Sequence, residues 1–324
     1  SSWRPRVAAD GPLAIRARGL GKRFGGLQAV DGVDLSVSRA SVYGFLGPNG
    51  SGKSTTIRML CGLLTPSAGE IEVLGLRIPA QAEALRRRMG YMTQKFSLYE
   101  DLSVRENLLF LASVQGLPRA ARRQRVDALL ETYDLQAQAS QLAGTMSGGQ
   151  KQRLALAGAV VHAPELLFLD EPTSAVDPES RRGFWEKLFD LADAGTTILV
   201  STHYMDEAER CHRLAILDNG RLVADGTPAD LTGGLRGRTL GVRTGEPRRA
   251  QALRQAMPSV LGVAQVGNEL RVLTAADAPK GAGFGHRVLD ALAARGLQAD
   301  VAAIAPNLED VFVAATHARG RGAG

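Results

Sequence analysis

The segment GPNGSGKST at residues 47–55 matches the phosphate-binding pattern G-x-x-x-x-G-K-[ST]. An apolar run at 42–46 precedes it, and residues 56–60 continue as a helix after it. A strand, a glycine loop and a helix in this order direct successive N–H groups and the positive end of the helix at one anion. Lys53 would reach the β- and γ-phosphates, and the Ser54 hydroxyl would take a Mg²⁺ position. The segment therefore predicts a nucleoside triphosphate site.

Length and composition indicate a globular protein with one large domain and one smaller domain. Of its 324 residues, 44% are hydrophobic and 22% are charged, which is ordinary for globular proteins. No apolar stretch approaches the roughly 20 residues that a membrane-spanning helix requires. The N-terminus shows no signal-peptide pattern. Cys61 and Cys211 lack metal-ligand spacing, so we expect them to be reduced packing residues.

The net charge of +6 is concentrated near the C-terminus. Residues 236–324 contain twelve Arg or Lys residues and seven Asp or Glu residues. Such a surplus could favour anionic lipid or nucleic acid. The favoured interpretation is an Arg-rich surface exposed to solvent.

Hydrophobic patterning predicts a parallel-sheet core that carries a small antiparallel sheet and a helical insertion. Alternating segments on either side of Gly25-Gly26 indicate paired strands. Ser103 and Glu106 form a capping box ahead of a helix that ends at Gly116. Continuous apolar segments separated by a helix are typical of central parallel strands. The predicted elements are strands at 14–20, 33–37, 70–74, 166–169 and 198–200, a hairpin at 214–224, and helices at 103–116 and 119–133.

The C-terminal part predicts a small α+β domain. Gly226-Thr227-Pro228 would end the large domain, and Gly233-Gly234 would be a linker. The later elements follow a βαββαβ order, which indicates a ferredoxin-like module at 236–318. Residues 1–12 and 319–324 would be tails. The predicted elements are β 239–244, α 248–257, β 261–266, β 269–275, α 286–295, β 298–304 and a last helix at 308–316.

Two carboxylates, Asp170 and Glu171, end the apolar strand at 166–169. The strand would deliver Asp170 beside the Mg²⁺ ion near Ser54. Glu171, one residue later, could orient or deprotonate the attacking water. Adjacent acidic residues at the end of a buried strand are hard to explain as packing. They therefore indicate hydrolysis of the bound nucleotide.

Three further segments fit the same chemistry. Gln94 lies where the core meets the helical insertion, and its neutral amide can contact Mg²⁺ or the attacking water without changing the charge of the site. Residues 147–150, Ser-Gly-Gly-Gln, precede a helix at 151–160 and form a second helix N-terminus suited to an anion. These four residues include no lysine, so this N-terminus would cap a phosphate already held by another subunit. His203 follows the strand at 197–202 and can donate to a γ-phosphate.

In this order, the motifs resemble the nucleotide-binding domain of the ATP-binding cassette (ABC) family over about residues 13–232. The resemblance implies an α/β P-loop fold with an antiparallel β subdomain and a helical subdomain at about 95–155. By the same resemblance, Asp177 matches the loop that crosses to the other subunit. Phe24 matches the aromatic residue that stacks on adenine, an interaction worth about 1–3 kcal/mol.

The sequence departs from the family pattern at Met146, Val176 and Phe24, and none of these exchanges removes a ligand. The resemblance implies ATP and Mg²⁺ as cofactors. Its site residues are catalytic Lys53, Gln94, Glu171 and His203; nucleotide-binding Phe24, Gly47, Pro48, Asn49, Gly50, Ser51, Gly52, Lys53, Ser54, Thr55, Ser147, Gly148, Gly149, Gln150 and Asp177; and metal-binding Ser54, Gln94 and Asp170.

Residues 92–102, 203–208 and 306–312 further resemble the type-2 export branch, which handles drugs, polysaccharides or lipids. Some ATPase subunits of that branch carry two cassettes, so a chain without an initiator Met could be half of a tandem protein. The implied partners are polytopic membrane subunits and a second nucleotide-binding domain, from a homodimer or a tandem half. No specific nucleic acid is expected. The implied location is peripheral, on the cytoplasmic face of the cell membrane.

The implied mechanism is ATP-driven dimerisation that powers export through a separate membrane subunit. Lys53 of one cassette and Ser147 and Gly149 of the other would hold each ATP, and Glu171 would activate water. Residues 95–102 would pass the motion to the membrane subunit. One alternative is a non-transport ABC ATPase acting on nucleic acid or ribosomes, although no heptad run is visible. The C-terminal domain could be a ligand-sensing module or a dimer brace.

Overall fold

The computed structural model describes residues 12–174, 176–253, 257–279 and 282–320. The chain divides into two compact units, Ser1–Leu222 and Val223–Gly324, each with its own hydrophobic core. This division lies earlier in the chain than the predicted boundary between residues 232 and 236, so the domain bounds stay a prediction. Within the described residues, no helix combines the length and the apolar character needed to cross a membrane.

The described elements alternate between strands and helices. The strands are β1 Leu13–Phe24, β2 Leu27–Ser38, β3 Val42–Leu46, β4 Ala68–Val73, β5 Leu76–Ile78, β6 Met89–Met92, β7 Leu166–Asp170, β8 Thr197–Thr202, β9 Arg213–Asp218, β10 Arg221–Gly226, β11 Thr239–Thr244, β12 Val260–Val266, β13 Glu269–Thr274 and β14 Ala299–Ala303. The α-helices are α1 Lys53–Leu60, α2 Ala82–Arg86, α3 Val104–Val114, α4 Arg119–Thr132, α5 Gly148–Ala159, α6 Pro178–Asp193, α7 Met205–Ala208, α8 Pro228–Gly233, α9 Pro247–Ala250, α10 Ala282–Ala293 and α11 Leu308–Gly320.

The central sheet of the first unit contains the strands β9-β3-β8-β7-β6 in that spatial order. Every residue of β3, β7 and β8 is buried, which explains their continuous apolar sequences. Strand β8 runs parallel to both β3 and β7, and pairs Thr202 with Leu46 and Ser201 with Asp170. The predicted central strands are therefore confirmed. Their carboxyl ends bring the phosphate loop, the paired carboxylates and the segment before His203 to one edge.

A second sheet of the first unit is antiparallel, with the order β2-β1-β4-β5. Its hairpin turns at Gly25-Gly26, as predicted, but β1 and β2 each extend over twelve residues. Register shifts interrupt the pairing, including one between Ala17 and Leu20. The alternation of buried and exposed residues breaks at those shifts, so the sequence pattern revealed only part of each strand.

The helical subdomain begins with α3, whose capping box is present as predicted. Ser103 Oγ accepts a hydrogen bond from the backbone N–H of Glu106, and the Glu106 carboxylate accepts one from Ser103 N. Gly116 follows this helix with a φ of +76°, a conformation that favours glycine. Buried side chains such as Leu108, Val126 and Leu154 join these helices in one cluster with the central strands.

The second unit contains an antiparallel sheet in the order β12-β13-β11-β14. This is the strand arrangement of a ferredoxin-like βαββαβ module, as predicted. The predicted helix at 248–257 is described only at Pro247–Ala250, and its residues 254–256 lie outside the described residues. Residues 233–234, expected to be a linker, instead form the C-terminal end of α8. The helix begins here because Thr227 caps it and Pro228 occupies its first turn.

Candidate nucleotide-binding site

The loop between β3 and α1 has a conformation that requires glycine. A Cβ atom on Gly47 would lie 2.4 Å from the Leu217 carbonyl oxygen and 2.6 Å from Ser51 Oγ. Gly50 and Gly52 have φ values of +80° and +102°. Both values lie in the region that side-chain-bearing residues rarely adopt. The glycines therefore let the loop turn tightly into the N-terminus of α1, where its N–H groups can bind an anion.

Lys53 is the first residue of α1, and only 4% of its surface is exposed. Its Nζ donates to the carbonyl oxygens of Gly47 at 2.8 Å and Pro48 at 3.1 Å. The same nitrogen lies 3.1 Å from Glu171 Oε1. A buried ammonium needs such partners to offset its loss of water. These contacts hold the charge of Lys53 over the phosphate loop and toward the end of β7.

Asp170, the last residue of β7, accepts two hydroxyl hydrogen bonds at Oδ1. Ser54 Oγ donates at 2.9 Å and Ser201 Oγ at 2.8 Å. The carboxylate is buried, and the hydroxyl of Ser54 lies next to it at the start of α1. A hydroxyl and a carboxylate oxygen side by side are hard ligands of the kind that Mg²⁺ prefers. The donor set therefore fits the predicted metal.

Glu171 is 7% exposed and has a φ of +46°. A non-glycine residue in this region costs on the order of 1–3 kcal/mol, which the surrounding structure must offset. Its N–H donates to Ser201 Oγ at 2.9 Å, which holds the residue against the neighbouring strand. The strained backbone turns the carboxylate of Glu171 away from the strand direction and toward Lys53.

Two predicted residues also contact the Glu171 carboxylate. Gln94 Nε2 donates to Oε2 at 3.1 Å, and His203 Nδ1 lies 3.2 Å from the same oxygen. The amide and the imidazole are thus held at one oxygen, while Lys53 holds the other. Such an arrangement can orient a carboxylate for proton abstraction from water. The structure brings Lys53, Gln94, Glu171 and His203 together in one cluster.

An open cavity of about 580 Å³ lies over the phosphate loop. Its lining includes Lys53, Ser54, Gln94 and Glu171, together with the aromatic ring of Phe24. Phe24 is 47% exposed, so its ring is accessible to a planar group. The cavity therefore joins the phosphate loop, the carboxylate and a ring that can stack on a base.

Two features of the cavity were missed from the sequence. Lys22 Nζ lies 5.1 Å from the centre of the Phe24 ring, a cation–π distance. Asn219 and Gly220 line the cavity, and Gly220 N donates to the Ser51 carbonyl at 3.0 Å. The sequence predicted only that these two residues lie within a hairpin at 214–224. Its contact with the loop is long-range, so no local pattern predicted it.

The Ser147–Gln150 motif caps α5. Ser147 Oγ accepts from Gln150 N at 3.3 Å, and Gln150 Oε1 accepts from Ser147 N at 2.9 Å. Ser147 and Gly148 are exposed, whereas Gly149 is buried so close to α6 that a Cβ would lie 2.5 Å from Ser180 Oγ. Among the described residues, none of these four lines the cavity. Their predicted role toward the phosphate of another subunit stays a prediction.

Asp177 is the N-cap of α6, and its Oδ1 accepts from Ser180 N at 2.9 Å. This backbone hydrogen bond holds the pKa of the Asp177 carboxyl below its usual value. In the part of the chain that the structure describes, Asp177 is likewise outside the lining of the cavity. The neighbouring Ala175 lies outside the described residues. The predicted crossing of this loop to another subunit also stays a prediction.

Comparison with known proteins identifies the family. A family model described as "ABC transporter" matches residues 30–174. Daunorubicin/doxorubicin resistance ATP-binding protein DrrA of Streptomyces peucetius is 41% identical over 251 residues, which cover 77% of this chain and 76% of that protein. The chain belongs to the ABC transporter family. The α/β fold with its phosphate loop and β subdomain is the ABC ATPase fold.

Two further ABC proteins are similar to this chain. Probable multidrug ABC transporter ATP-binding protein YbhF of Escherichia coli (strain K12) is 46% identical over 221 residues, 68% of this chain. The match covers 38% of YbhF, so the chain spans well under half of that relative. The ATP-binding cassette MJ0796, solved as a dimer in a post-hydrolysis state with ADP and Pi, is 26% identical. It aligns with a TM-score of 0.61 over 66% of this chain and 98% of its own.

Proposed function

We propose that this chain is the ATP-hydrolysing subunit of an ABC exporter and couples ATP binding, dimerisation and hydrolysis to export through a separate membrane subunit. The observation that carries the proposal is the strained, buried Glu171, whose carboxylate lies 3.1 Å from Lys53 Nζ at a cavity lined by the phosphate loop. The names of DrrA and YbhF support transport rather than action on nucleic acid.

The nucleotide lies with its base on Phe24 and its phosphates along the loop. Lys53 then exchanges its loop carbonyl contacts for phosphate oxygens, which lets its charge stabilise the β- and γ-phosphates. Glu171 accepts a proton from the attacking water, and His203 and Gln94 keep its carboxylate oriented. Ser54 and Asp170 would hold Mg²⁺, which when bound neutralises phosphate charge.

A second cassette completes the site. Ser147 and Gly149 of one copy bind the γ-phosphate held by Lys53 of the other, and Asp177 lies in the loop that crosses between the copies. The exposed, capped N-terminus of α5 supports this role, because a preformed helix N-terminus favours an anion. The dimeric state of MJ0796 with ADP and Pi supports the same arrangement. The second cassette comes from an identical chain or from a tandem half.

The membrane subunit docks in a groove beside Gln94. This groove has a volume of about 410 Å³ and lies between β6 and the helical subdomain. Apolar side chains along it are partly or largely exposed, among them Leu63 at 51%, Tyr99 at 50% and Phe110 at 42%. An apolar groove with exposed aromatic rings suits a helix of a protein partner. With this partner, we propose a peripheral location on the cytoplasmic face of the membrane.

The test is a pull-down of the Glu171→Gln protein from detergent-solubilised membranes, with and without ATP and Mg²⁺. We expect a polytopic membrane protein in the eluate. Recovery of nucleic acid or ribosomes without a membrane protein would contradict the exporter and favour the non-transport ATPase. A groove variant, Tyr99→Arg, is the matched control and should lose the membrane partner while it retains ATP binding.

A further inference from the structure

A second buried carboxylate, Glu207, lies behind the site and has no part in the chemistry described above. It belongs to α7, four residues after His203, and is 1% exposed. Its Oε1 accepts from the Thr173 hydroxyl, and its Oε2 accepts from the Thr202 hydroxyl at 2.5 Å. Each carboxylate oxygen therefore binds a hydroxyl from a different segment, one in the turn after β7 and one at the end of β8.

The two hydroxyls flank the catalytic groups. Thr173 lies two residues after Glu171, within the turn that follows the strained backbone, where Ser174 N donates to the Glu171 carbonyl at 3.3 Å. Thr202 directly precedes His203, and its hydroxyl also accepts from Tyr204 N at 3.0 Å. The carboxylate of Glu207 thus connects the loop of Glu171 with the loop of His203.

Arg181 links the Glu207 carboxylate to a third loop, the one that precedes α6. Its Nε lies 3.5 Å from Glu207 Oε1, an ion-pair distance, and one terminal nitrogen donates to the Val176 carbonyl at 3.4 Å. The guanidinium also lies 4.2 Å from the centre of the Tyr204 ring. Arg181 stands on the first turns of α6, just after its N-cap Asp177. The same carboxylate therefore also reaches the loop proposed to cross to the other copy.

We infer that Glu207 is a positioning residue for ATP hydrolysis, which sets the placement of Glu171, His203 and the Asp177 loop relative to one another. The inference rests on the proposed ATPase function. A carboxylate is needed because both of its oxygens accept from hydroxyls while its charge faces Arg181. An amide at this position removes the charge that faces Arg181, and its NH₂ group forces one of the two hydroxyls to accept a hydrogen bond instead of donating one.

The first test compares Glu207→Gln with the wild-type protein in steady-state ATP hydrolysis with Mg²⁺. We expect kcat to fall about 10- to 100-fold, because a small displacement of catalytic groups is costly. KM for ATP should change less than about threefold, because Glu207 is not among the described residues that line the cavity. A variant whose kcat is unchanged, and whose kcat/KM falls only because KM rises, would overturn the inference.

The second test uses the hydroxyl of Thr202, where two substitutions separate chemistry from packing. Thr202→Val keeps the side-chain shape and removes the hydrogen bonds to Glu207 and Tyr204. Thr202→Ser keeps the hydroxyl. We expect the Val variant to reproduce most of the kcat loss of Glu207→Gln and the Ser variant to recover activity. Equal activity of the two variants would overturn the inference even if Glu207→Gln fails to fold.

Glu165→Gln is the matched control. Glu165 also pairs with arginine, at 2.6 Å from Arg88 Nε, but it precedes β7 at the end of the sheet opposite the site. Its kcat should equal that of the wild-type protein. Wild-type protein without ATP hydrolysis would overturn the proposed function and the inference together. Wild-type hydrolysis with an unchanged kcat in Glu207→Gln would overturn the inference alone.

Discussion

The two units bury charged groups in different settings. In the first unit, Lys53, Asp170 and Glu171 are buried at the edge where parallel strands end, and Lys53 and Glu171 line an open cavity. In the second unit, Arg271 pairs with Asp310 at 2.6 Å and connects β13 to α11. Lys53 and Glu171 can therefore contact a ligand, whereas the Arg271–Asp310 pair joins two elements of the fold. Buried charge at or directly behind an accessible cavity is thus the stronger indication of function.

The largest effect should come from Glu171→Gln, which removes the proposed base. We expect kcat for ATP to fall about 10²–10⁴-fold, the usual contribution of a general base. ATP affinity should persist, because Lys53 and the phosphate loop are unchanged. Steady-state hydrolysis and equilibrium nucleotide binding measure the two quantities. Near wild-type turnover would remove Glu171 from the chemistry.

Lys53→Ala should chiefly reduce nucleotide affinity. Loss of a charged hydrogen-bond donor to the phosphates would weaken ATP binding about 10- to 100-fold. Fluorescence titration with a nucleotide analogue measures the change. Gly26→Ala serves as a control, because a Cβ on Gly26 meets no atom within 4 Å. Tight binding by Lys53→Ala would mean that the phosphate site is elsewhere.

Asp310→Ala in the second unit should affect stability and leave ATP hydrolysis unchanged. Removing one member of a largely buried ion pair should lower the free energy of unfolding by about 3 kcal/mol, because Arg271 loses the carboxylate that balances its charge. Arg243→Met is the control, since its pair with Glu269 is long at 3.8 Å and largely exposed. Denaturant unfolding gives the comparison. A fall in kcat with unchanged stability would contradict the division of roles.

His162 should produce the smallest effect, seen as a pH dependence. Burial lowers the pKa of its imidazole, whose Nε2 lies 3.0 Å from the Met89 carbonyl. Below the unfolded-state pKa of about 6.5, the unfolded chain binds the proton more readily than the folded one. Stability is therefore complete above that pH and falls as the pH drops through the folded-state pKa. Denaturant unfolding at several pH values measures this dependence. In His162→Gln, the free energy of unfolding should depend less on pH in this range. An unchanged pH dependence would contradict the role given to His162.

The sequence predicted the parts of the site that are encoded locally. The phosphate loop, Asp170-Glu171 and His203 each end or follow a strand that apolar runs identified, so their shared edge could be anticipated. The contacts behind the site could not be predicted from the sequence. Glu207 binds Thr173, which is 34 residues away in the chain. Such pairing depends on the packed fold.

The lengths of some strands and helices also could not be predicted from local sequence patterns. The bulged strands β1 and β2 lose their alternation at the register shifts, so only their regular parts were recognised. Residues 228–233 form α8 through a Thr-Pro cap that was interpreted as the end of a domain. The strands of the βαββαβ order were predictable, because each of them is a short run rich in apolar residues.

In the proposed mechanism, two copies of the chain share each nucleotide. Light scattering of Glu171→Gln, with and without ATP and Mg²⁺, measures the mass in solution. The expected result is twice the mass of one chain with ATP and Mg²⁺, the mass of one chain without nucleotide, and no dimer when Ser147→Arg is added. A monomer with bound nucleotide would contradict the shared site. So would a dimer whose mass is the same without ATP and with Ser147→Arg.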